Sequence, residues 1–396
     1  MLYLSADEIR KFFNMRDAIE SDREALILQR QGMAEVPVRT NFNVQGKGIS
    51  SVMPAYIKKY PQVGIKIVST FPHNFTKGKP SVTATTLLLD SEDGTVCAIL
   101  DGTLMTQMRT GAVSGLATEL LARKDAKIAA LFGTGGQAQA QLEALLTVRP
   151  IKEVRVYDSF RENKENFITR MTPLAEKFGA KLRAAATPNE AIDDADVITT
   201  VTTSSEPVFD GRGVKEGAHI NAVGVFTPEK HELDEYIVNR ADKIFLDNRE
   251  AVLEEAGDFL IPLRKGNFSL NKITGEIGDL LLGYAKGRES DREITLMKTV
   301  GFATLDVTIA HKTYEKAVAS GAGVDVTTDY MHHPRHSQAT PVAPTYGYTP
   351  PPQSGPDCLA AGTSNQRKPL SRLSVKKEFI SVSIGDKNAE NADKYF

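Results

Sequence analysis

The stretch "KIAALFGTGGQAQAQLEALLT", from Lys127, constrains the fold more than any other part of the chain. A short apolar run stops at a glycine, two more glycines follow within three residues, and helical periodicity then takes over. The same alternation continues downstream: "EVRVYD" precedes "RENKENFITRMTPLAEKFG", and "ADVITTVTT", "AHINAVG" and "ADKIFLD" come after it. Parallel strands can be joined only by crossovers, and strands this apolar need both faces covered. The pattern therefore predicts a doubly wound parallel sheet of the Rossmann type.

Within the opening turn, Gly133, Gly135 and Ala138 fit G-x-G-x-x-G/A. The first glycine permits the tight turn, the second lets backbone N–H groups approach a pyrophosphate, and the small third residue lets helix pack on strand. A phosphate there meets the positive end of the helix dipole. Asp158 ends the next strand, where a carboxylate can accept hydrogen bonds from an adenosine ribose. The turn, the acid and the βαβ pattern together predict dinucleotide binding. An acid at that position repels a 2′-phosphate and so favours NAD; the nearby Arg161 leaves NADP open.

The 396 residues are 41% hydrophobic, enough for a large core and, at this length, two domains. A net charge of −2 provides no field for attracting nucleic acid. Two distant cysteines, Cys97 and Cys358, make no disulfide framework, and the charged N-terminal "MLYLSADEIRKFF" lacks the apolar core of a secretory signal. No run approaches the ~20 apolar residues of a membrane span. The expectation is a cytoplasmic protein with neither nucleic acid nor membrane as partner.

Ahead of the glycine turn, Ser5 to Gly32 reads as one helix, with Ser5 as N-cap, Glu8 completing a capping box and Gly32 as the stop. "VGIKIVSTF", "SVTATTLLLD" and "VCAILDG" read as strands, the last two joined by a hairpin turn at Asp93-Gly94. "TLMTQMRTGAVSGLATELLA" returns to helical spacing, and a long helix closes the sequence "REITLMKTVGFATLDVTIAHKTYEKAVASG". Beyond about Asp325 the chain is rich in Pro, Ser, Thr and Gly without apolar periodicity, which predicts a disordered tail. His332, His333 and His336 in that tail have no Cys or carboxylate at ligand spacing, and no metal is expected.

Three cations are candidates for chemistry. On the strand "VGIKIVS", Lys66 shares a face with Gly64 and Val68, while Val63, Ile65 and Ile67 form the other. Both faces are at least partly apolar, so its ammonium either snorkels to solvent or pairs with a partner inside a pocket. Arg39 and Arg109 read singly as surface ion pairs, although a guanidinium also suits a carboxylate or phosphate. Thr85, Thr86 and the "TTVTTSS" run suit strands, and a hydroxyl at a strand end can touch a cofactor. No Ser-His-Asp arrangement can be read, and hydride chemistry needs none.

From near the N-terminus to about Gly321, the chain resembles the ornithine cyclodeaminase/mu-crystallin family. The resemblance rests on "VPVRT", "MPAY", "GIKIVSTFPHN", "DGTLMTQMRTGAVSG", "GTGGQAQAQLEAL", "GAHINAVG", "ELD" and "GRESDREITLMKTVGFATLDV", in that order. It implies an α+β substrate-binding and dimerisation domain over 1–120, completed by 303–325, a Rossmann-type NAD(P) domain over 121–302, and a homodimer. It implies that Arg39 and Lys66 bind the substrate carboxylate, with Met53, Phe226 and Val300 also lining the substrate site. Arg109, Gly136 and Gln137 would approach the cofactor phosphates, and Asp158 the ribose. Thr83, Thr202, Asn221, Ala222, Val223 and Lys230 would line the rest of the dinucleotide groove.

One departure separates this chain from the cyclodeaminases proper, in which an aspartate after the "NAVG" strand handles ammonia loss. Phe226 stands at that position here and cannot carry a proton; Glu229, Glu255 and Asp258 are the carboxylates in the region that could replace it. The resemblance therefore implies an NAD(P)H-dependent reductase of small cyclic ketimines, such as Δ1-pyrroline-2-carboxylate or Δ1-piperideine-2-carboxylate. The alternatives are ornithine cyclodeamination, an alanine-type amino acid dehydrogenase, and a non-catalytic NADP and small-ligand binding protein of the mu-crystallin kind.

Overall fold

The computed structural model describes residues 1–326 of the 396. The N-terminal part runs β1 (Leu2–Leu4), α1 (Ala6–Phe12), α2 (Met15–Arg30), β2 (Ala34–Glu35), β3 (Thr40–Asn43), β4 (Ile49–Ile57), β5 (Gln62–Thr70), β6 (Val82–Asp90), β7 (Val96–Asp101) and α3 (Gly102–Leu121). Next come β8 (Ile128–Phe132), α4 (Ala138–Val148), β9 (Glu153–Tyr157), α5 (Arg161–Lys177), β10 (Lys181–Ala184), α6 (Pro188–Ile192), β11 (Val197–Thr200) and β12 (His219–Ala222). Then follow α7 (Glu235–Arg240), β13 (Lys243–Leu246), α8 (Arg249–Glu255), α9 (Gly257–Arg264), β14 (Ile273–Glu276), α10 (Ile277–Leu281) and β15 (Thr295–Lys298), and finally α11 (Ala303–Ser320) and β16 (Val324–Asp325).

The helix expected over Ser5–Gly32 is two helices. Ser5 and Glu8 do form the capping box of α1, but Phe13 turns extended and Asn14 starts α2 with a second capping box against Asp17. A short amide side chain that satisfies the first free N–H groups of a new helix favours this break. Gly32 is left-handed, at φ 69°, as a helix stop requires.

The first sheet has the order β16-β1-β7-β6-β5-β4-β2, with β3 also paired to β4. Its central strands are antiparallel, and the β6–β7 hairpin turns at Gly94 with φ 74°. On its inner face lie Met53 and Ala55 of β4, Gly64 and Lys66 of β5, and Thr86 and Leu88 of β6, all buried. α11 covers that face. Gly64 permits its close approach: a Cβ there would lie 2.6 Å from Val307 Cγ1 and would overlap Cγ2. α2 and α3 pack beside α11 in the adjoining core, through Ile19, Leu26, Met105 and Leu116 against Leu305 of α11.

The second sheet, β10-β9-β8-β11-β12-β15-β13-β14, is parallel throughout. Its strands carry side chains such as Ala130, Phe132, Val154, Val156, Ile198, Ile220 and Leu296 that are buried on one face or the other, as the run of apolar strands predicts. β15 lies inside "REITLMKTVG", ahead of the closing helix, and is a strand the sequence reading does not include; Leu296 and Met297 face the two cores on either side of it. No helix among the described residues is long and apolar enough to cross a membrane. The readings of the tail and its three histidines fall outside the described residues.

Candidate active site

The second sheet reverses its winding between β8 and β11, and in open parallel sheets ligands settle at the carboxyl ends of strands at such a switch point. Gly133 leaves β8 there with φ 95°, and a Cβ on it would sit 2.6 Å from the Val201 carbonyl oxygen at the end of β11. Only glycine fits that turn. Gly135 and Gly136 differ: a Cβ on either meets nothing within 4 Å, so the turn opens onto free space. Behind it α4 begins at Ala138 with no side-chain cap, leaving its N-terminal amides for an outside acceptor.

Asp158, just past β9, accepts from the Thr134 backbone N–H (3.1 Å) and hydroxyl (2.6 Å), and its other oxygen from the Phe160 N–H (3.0 Å). The acid is thus fixed beside the turn. Across the switch point, buried Glu232 accepts from Thr200 Oγ1, Thr202 N and Gly224 N, tying together the ends of β11 and β12. Ala222 and Val223 are buried at that end, while Lys230 is exposed. Asn221 turns its side chain inward, 3.1 Å from His219 Nε2 and donating to Thr118 Oγ1, so it can offer the groove only its backbone.

The three candidate cations converge. Lys66 does not snorkel: it is 1% exposed, and its Nζ lies 2.5 Å from Asp306 Oδ2 at the start of α11. Arg109, from α3, donates through Nε to the other oxygen of Asp306 at 3.0 Å. Its guanidinium lies against Gly301, where any Cβ would overlap it. Burial raises the Asp306 carboxyl, but Arg109 and Lys66 outweigh burial and hold it below the usual range. Burial pushes the Lys66 ammonium down to about 8 against the pull of Asp306, with Arg109 and Arg39 adding repulsion. Asp22 of α2, buried beneath this cluster, is pushed well up by desolvation.

Arg39 reaches the same place from the loop between β2 and β3. Its Nη2 is 2.9 Å from Glu255 Oε1, at the end of α8, and 3.4 Å from the Gly301 carbonyl oxygen. The loop around Gly301 is held by Asp247, which accepts from Thr299 Oγ1 (2.6 Å), Val300 N (3.1 Å) and Gly301 N (2.8 Å). Burial raises Glu255 to about 7, with Arg39 restraining it and Glu254 and Asp247 pushing further. Of the other two carboxylates named from the sequence, Asp258 is sealed in, bound to Lys298 (2.7 Å) and the Glu232 and Leu233 amides, and Glu229 is exposed. Phe226 is 53% exposed on the loop after β12. Met53 stands opposite Lys66 in the β4–β5 register, and Thr83 is exposed on β6.

Asp306, Asp247 and Gly301 were not singled out from the sequence. A signal existed for Asp306: a lone acid in the apolar helix "FATLDVTIAH" needs a buried cation. Nothing local identifies that cation, which lies 240 positions away.

Comparison with known proteins agrees with this architecture. The model of the ornithine cyclodeaminase/mu-crystallin family matches residues 1–321. A Delta(1)-pyrroline-2-carboxylate reductase of Bacillus cereus is 39% identical over 326 residues, covering 82% of this chain and 98% of the relative. The solved structure of Thermococcus litoralis Delta(1)-pyrroline-2-carboxylate reductase in complex with NADH and L-proline superimposes with a TM-score of 0.78 at 40% identity, covering 82% of this chain and all of that one. An archaeal alanine dehydrogenase dimer with bound NAD gives 0.75 at 33% identity, over 83% and 99% of the two chains. A doubly wound sheet, a glycine turn at its switch point and a family match spanning nearly all the described residues lead to one conclusion: the chain belongs to the ornithine cyclodeaminase/mu-crystallin family.

Proposed function

We propose that this protein is an NAD(P)H-dependent oxidoreductase that reduces small cyclic ketimine carboxylates, Δ1-pyrroline-2-carboxylate or Δ1-piperideine-2-carboxylate, to the cyclic amino acids. The observation that carries the reading is the convergence of three cations: Lys66 and Arg109 share one buried carboxylate, Asp306, and Arg39 stands beside them on Glu255. Three cations against two carboxylates, one of them raised to about 7 by burial, leave positive charge for the carboxylate of a small substrate. The relatives named above, similar over nearly their whole length, support the same chemistry.

The residues fit a nicotinamide dinucleotide. The space over Gly135 and Gly136, and the uncapped start of α4 at Gln137 and Ala138, suit a pyrophosphate, with Arg109 within reach of the same end of the sheet. Asp158 would take the adenosine ribose, which favours NAD, with NADP open. Thr83, Thr202, Val223, Lys230 and the backbone of Asn221 and Ala222 would line the remainder. Bound there, the reduced cofactor supplies a hydride to the imine carbon. The chain's own part is positional and electrostatic: Arg39 and Lys66 grip the carboxylate, Met53, Phe226 and Val300 border the ring, and fixed cations replace water around it.

We also propose that residues 1–120 with 303–325 form the substrate and dimerisation domain, that 121–302 form the cofactor domain, and that the enzyme works as a cytoplasmic homodimer. The outer face of the first sheet supports the dimer: Phe42 and Ile67 are 53% and 42% exposed, apolar side chains that a second copy would cover.

The test is cofactor oxidation by the purified protein with each ketimine, alongside assays for ammonia from ornithine and for NAD reduction by alanine. Turnover of a ketimine without ammonia release is the expected result. Ammonia from ornithine would restore the cyclodeaminase reading despite Phe226, and net NAD reduction by alanine would favour an open-chain dehydrogenase. Cofactor binding without any turnover would leave a binding protein.

A further inference from the structure

The cation expected to grip the substrate is already gripping Glu255. Arg39 Nη2 lies 2.9 Å from one oxygen of this carboxylate and 3.3 Å from the other, and Glu255 has no other hydrogen-bond partner among the described residues. Resting on the ketimine reductase reading, we propose that Glu255 is the proton donor of the reaction: the substrate carboxylate displaces it from Arg39, Glu255 takes up a proton as it loses that cation, and the proton passes to the imine nitrogen.

The charges around Glu255 argue for the exchange. Arg39 is the one cation that lowers its affinity for protons, and the other groups acting on it are the carboxylates of Glu254 and Asp247. Asp247 stays where it is, held by Thr299 and the Val300 and Gly301 amides. Once Arg39 turns to the substrate, only burial and like charge remain, and both favour the neutral acid. The resting group already sits near 7, so a small change of surroundings protonates it at physiological pH.

No nearby group competes well for the role. Phe226 has no proton to give, Asp258 is locked against Lys298, and Glu229 faces outward. The Lys66 proton is held by Asp306. The step balances: hydride arrives on the imine carbon, the electron pair of the C=N π bond ends on nitrogen with the Glu255 proton, and the cofactor leaves oxidised. Glu255, now a carboxylate, pairs again with Arg39 when product departs.

The experiment is calorimetry on the full chain with NAD⁺ bound, titrating pyrrole-2-carboxylate, a planar carboxylate that cannot accept hydride. At pH 8, in buffers of different ionisation enthalpy, binding should take up about half a proton or more per site, because the free Glu255 is then mostly ionised. Glu255→Gln should bind the analogue at least as well and take up none. With Δ1-pyrroline-2-carboxylate and NADH, Glu255→Gln should lower kcat about a hundredfold with little change in KM. The fall in kcat/KM as pH rises past 7 should vanish, leaving the one near 8 that belongs to Lys66. Glu255→Asp, which keeps an acid, should recover part of kcat. Binding without proton uptake by the wild type, or wild-type turnover by Glu255→Gln, would overturn the proposal. A wild type that takes up the proton but reduces no ketimine would instead defeat the reductase reading and leave the Arg39 exchange standing.

Discussion

Gly64 of β5 lies so close beneath Val307 of α11 that no side chain can be placed between them, and a near neighbour of each in its own element, Lys66 on the strand and Asp306 on the helix, forms the buried ion pair of the site. Helix and sheet meet where the charge pair must close. Gly64→Ala should therefore lift α11, cost about 1–3 kcal/mol by overpacking, and weaken turnover with no change to any charged residue. Thermal unfolding and kcat/KM measured on one preparation check both effects; unchanged stability would mean that α11 is free to move.

Asp306 is the only anion between Lys66 and Arg109 among the described residues that bonds to both. Asp306→Asn leaves two buried cations without their partner and should destabilise the protein by about 3–5 kcal/mol. Lys66→Met should cost less, because Asp306 keeps Arg109, although kcat/KM should fall about a hundredfold. Urea unfolding of the double variant should show a loss well below the sum of the single ones. Strict additivity would count against the coupled triad.

Gly133 and Gly135 separate fold from binding within three residues. Gly133→Ala must hold φ near 95° and meet the Val201 carbonyl oxygen at 2.6 Å, so it should lose about 2 kcal/mol or more. Gly135→Val meets nothing in the protein and should keep its melting temperature. Its isopropyl group would occupy the space assigned to the pyrophosphate, and NADH should bind at least about tenfold more weakly. Fluorescence titration with NADH, set beside the melting curves, distinguishes the two; tight binding by Gly135→Val would move the cofactor elsewhere.

Glu255 also leaves a signature in stability. Its carboxyl rises from 4.5 to about 7 on folding, so between those values the folded chain binds more protons than the unfolded one. Stability attributable to this group is present below about pH 4.5 and is lost as pH rises through 7. Glu255→Gln abolishes that loss, and its melting temperature should gain on the wild type between pH 5 and pH 8. The group is partly exposed and paired with Arg39, so solvent screening reduces the effect to about 1–2 kcal/mol. A pH-independent difference would show that Glu255 has an ordinary affinity for protons.

Much of the architecture was legible because its causes are local. Strand and helix periods, the Gly133 turn, the Asp93-Gly94 hairpin and the Ser5 cap each depend on residues within a few positions of one another. Where a second local signal competed, as Asn14 did inside the first helical stretch, the pattern misled. β15 escaped notice because its neighbours β12 and β13, not its own sequence, define it.

The site divides along the same line. Sequence by itself determined that a dinucleotide turn and three cations exist, since glycine spacing and side-chain chemistry are written residue by residue. Only the tertiary structure decided that Lys66 is buried rather than solvated, that Asp306 joins it to Arg109, and that Arg39 rests on Glu255. A buried charge is tolerable only beside its partner, and these partners come from strands, helices and loops that lie hundreds of positions apart until packing brings them within 3 Å.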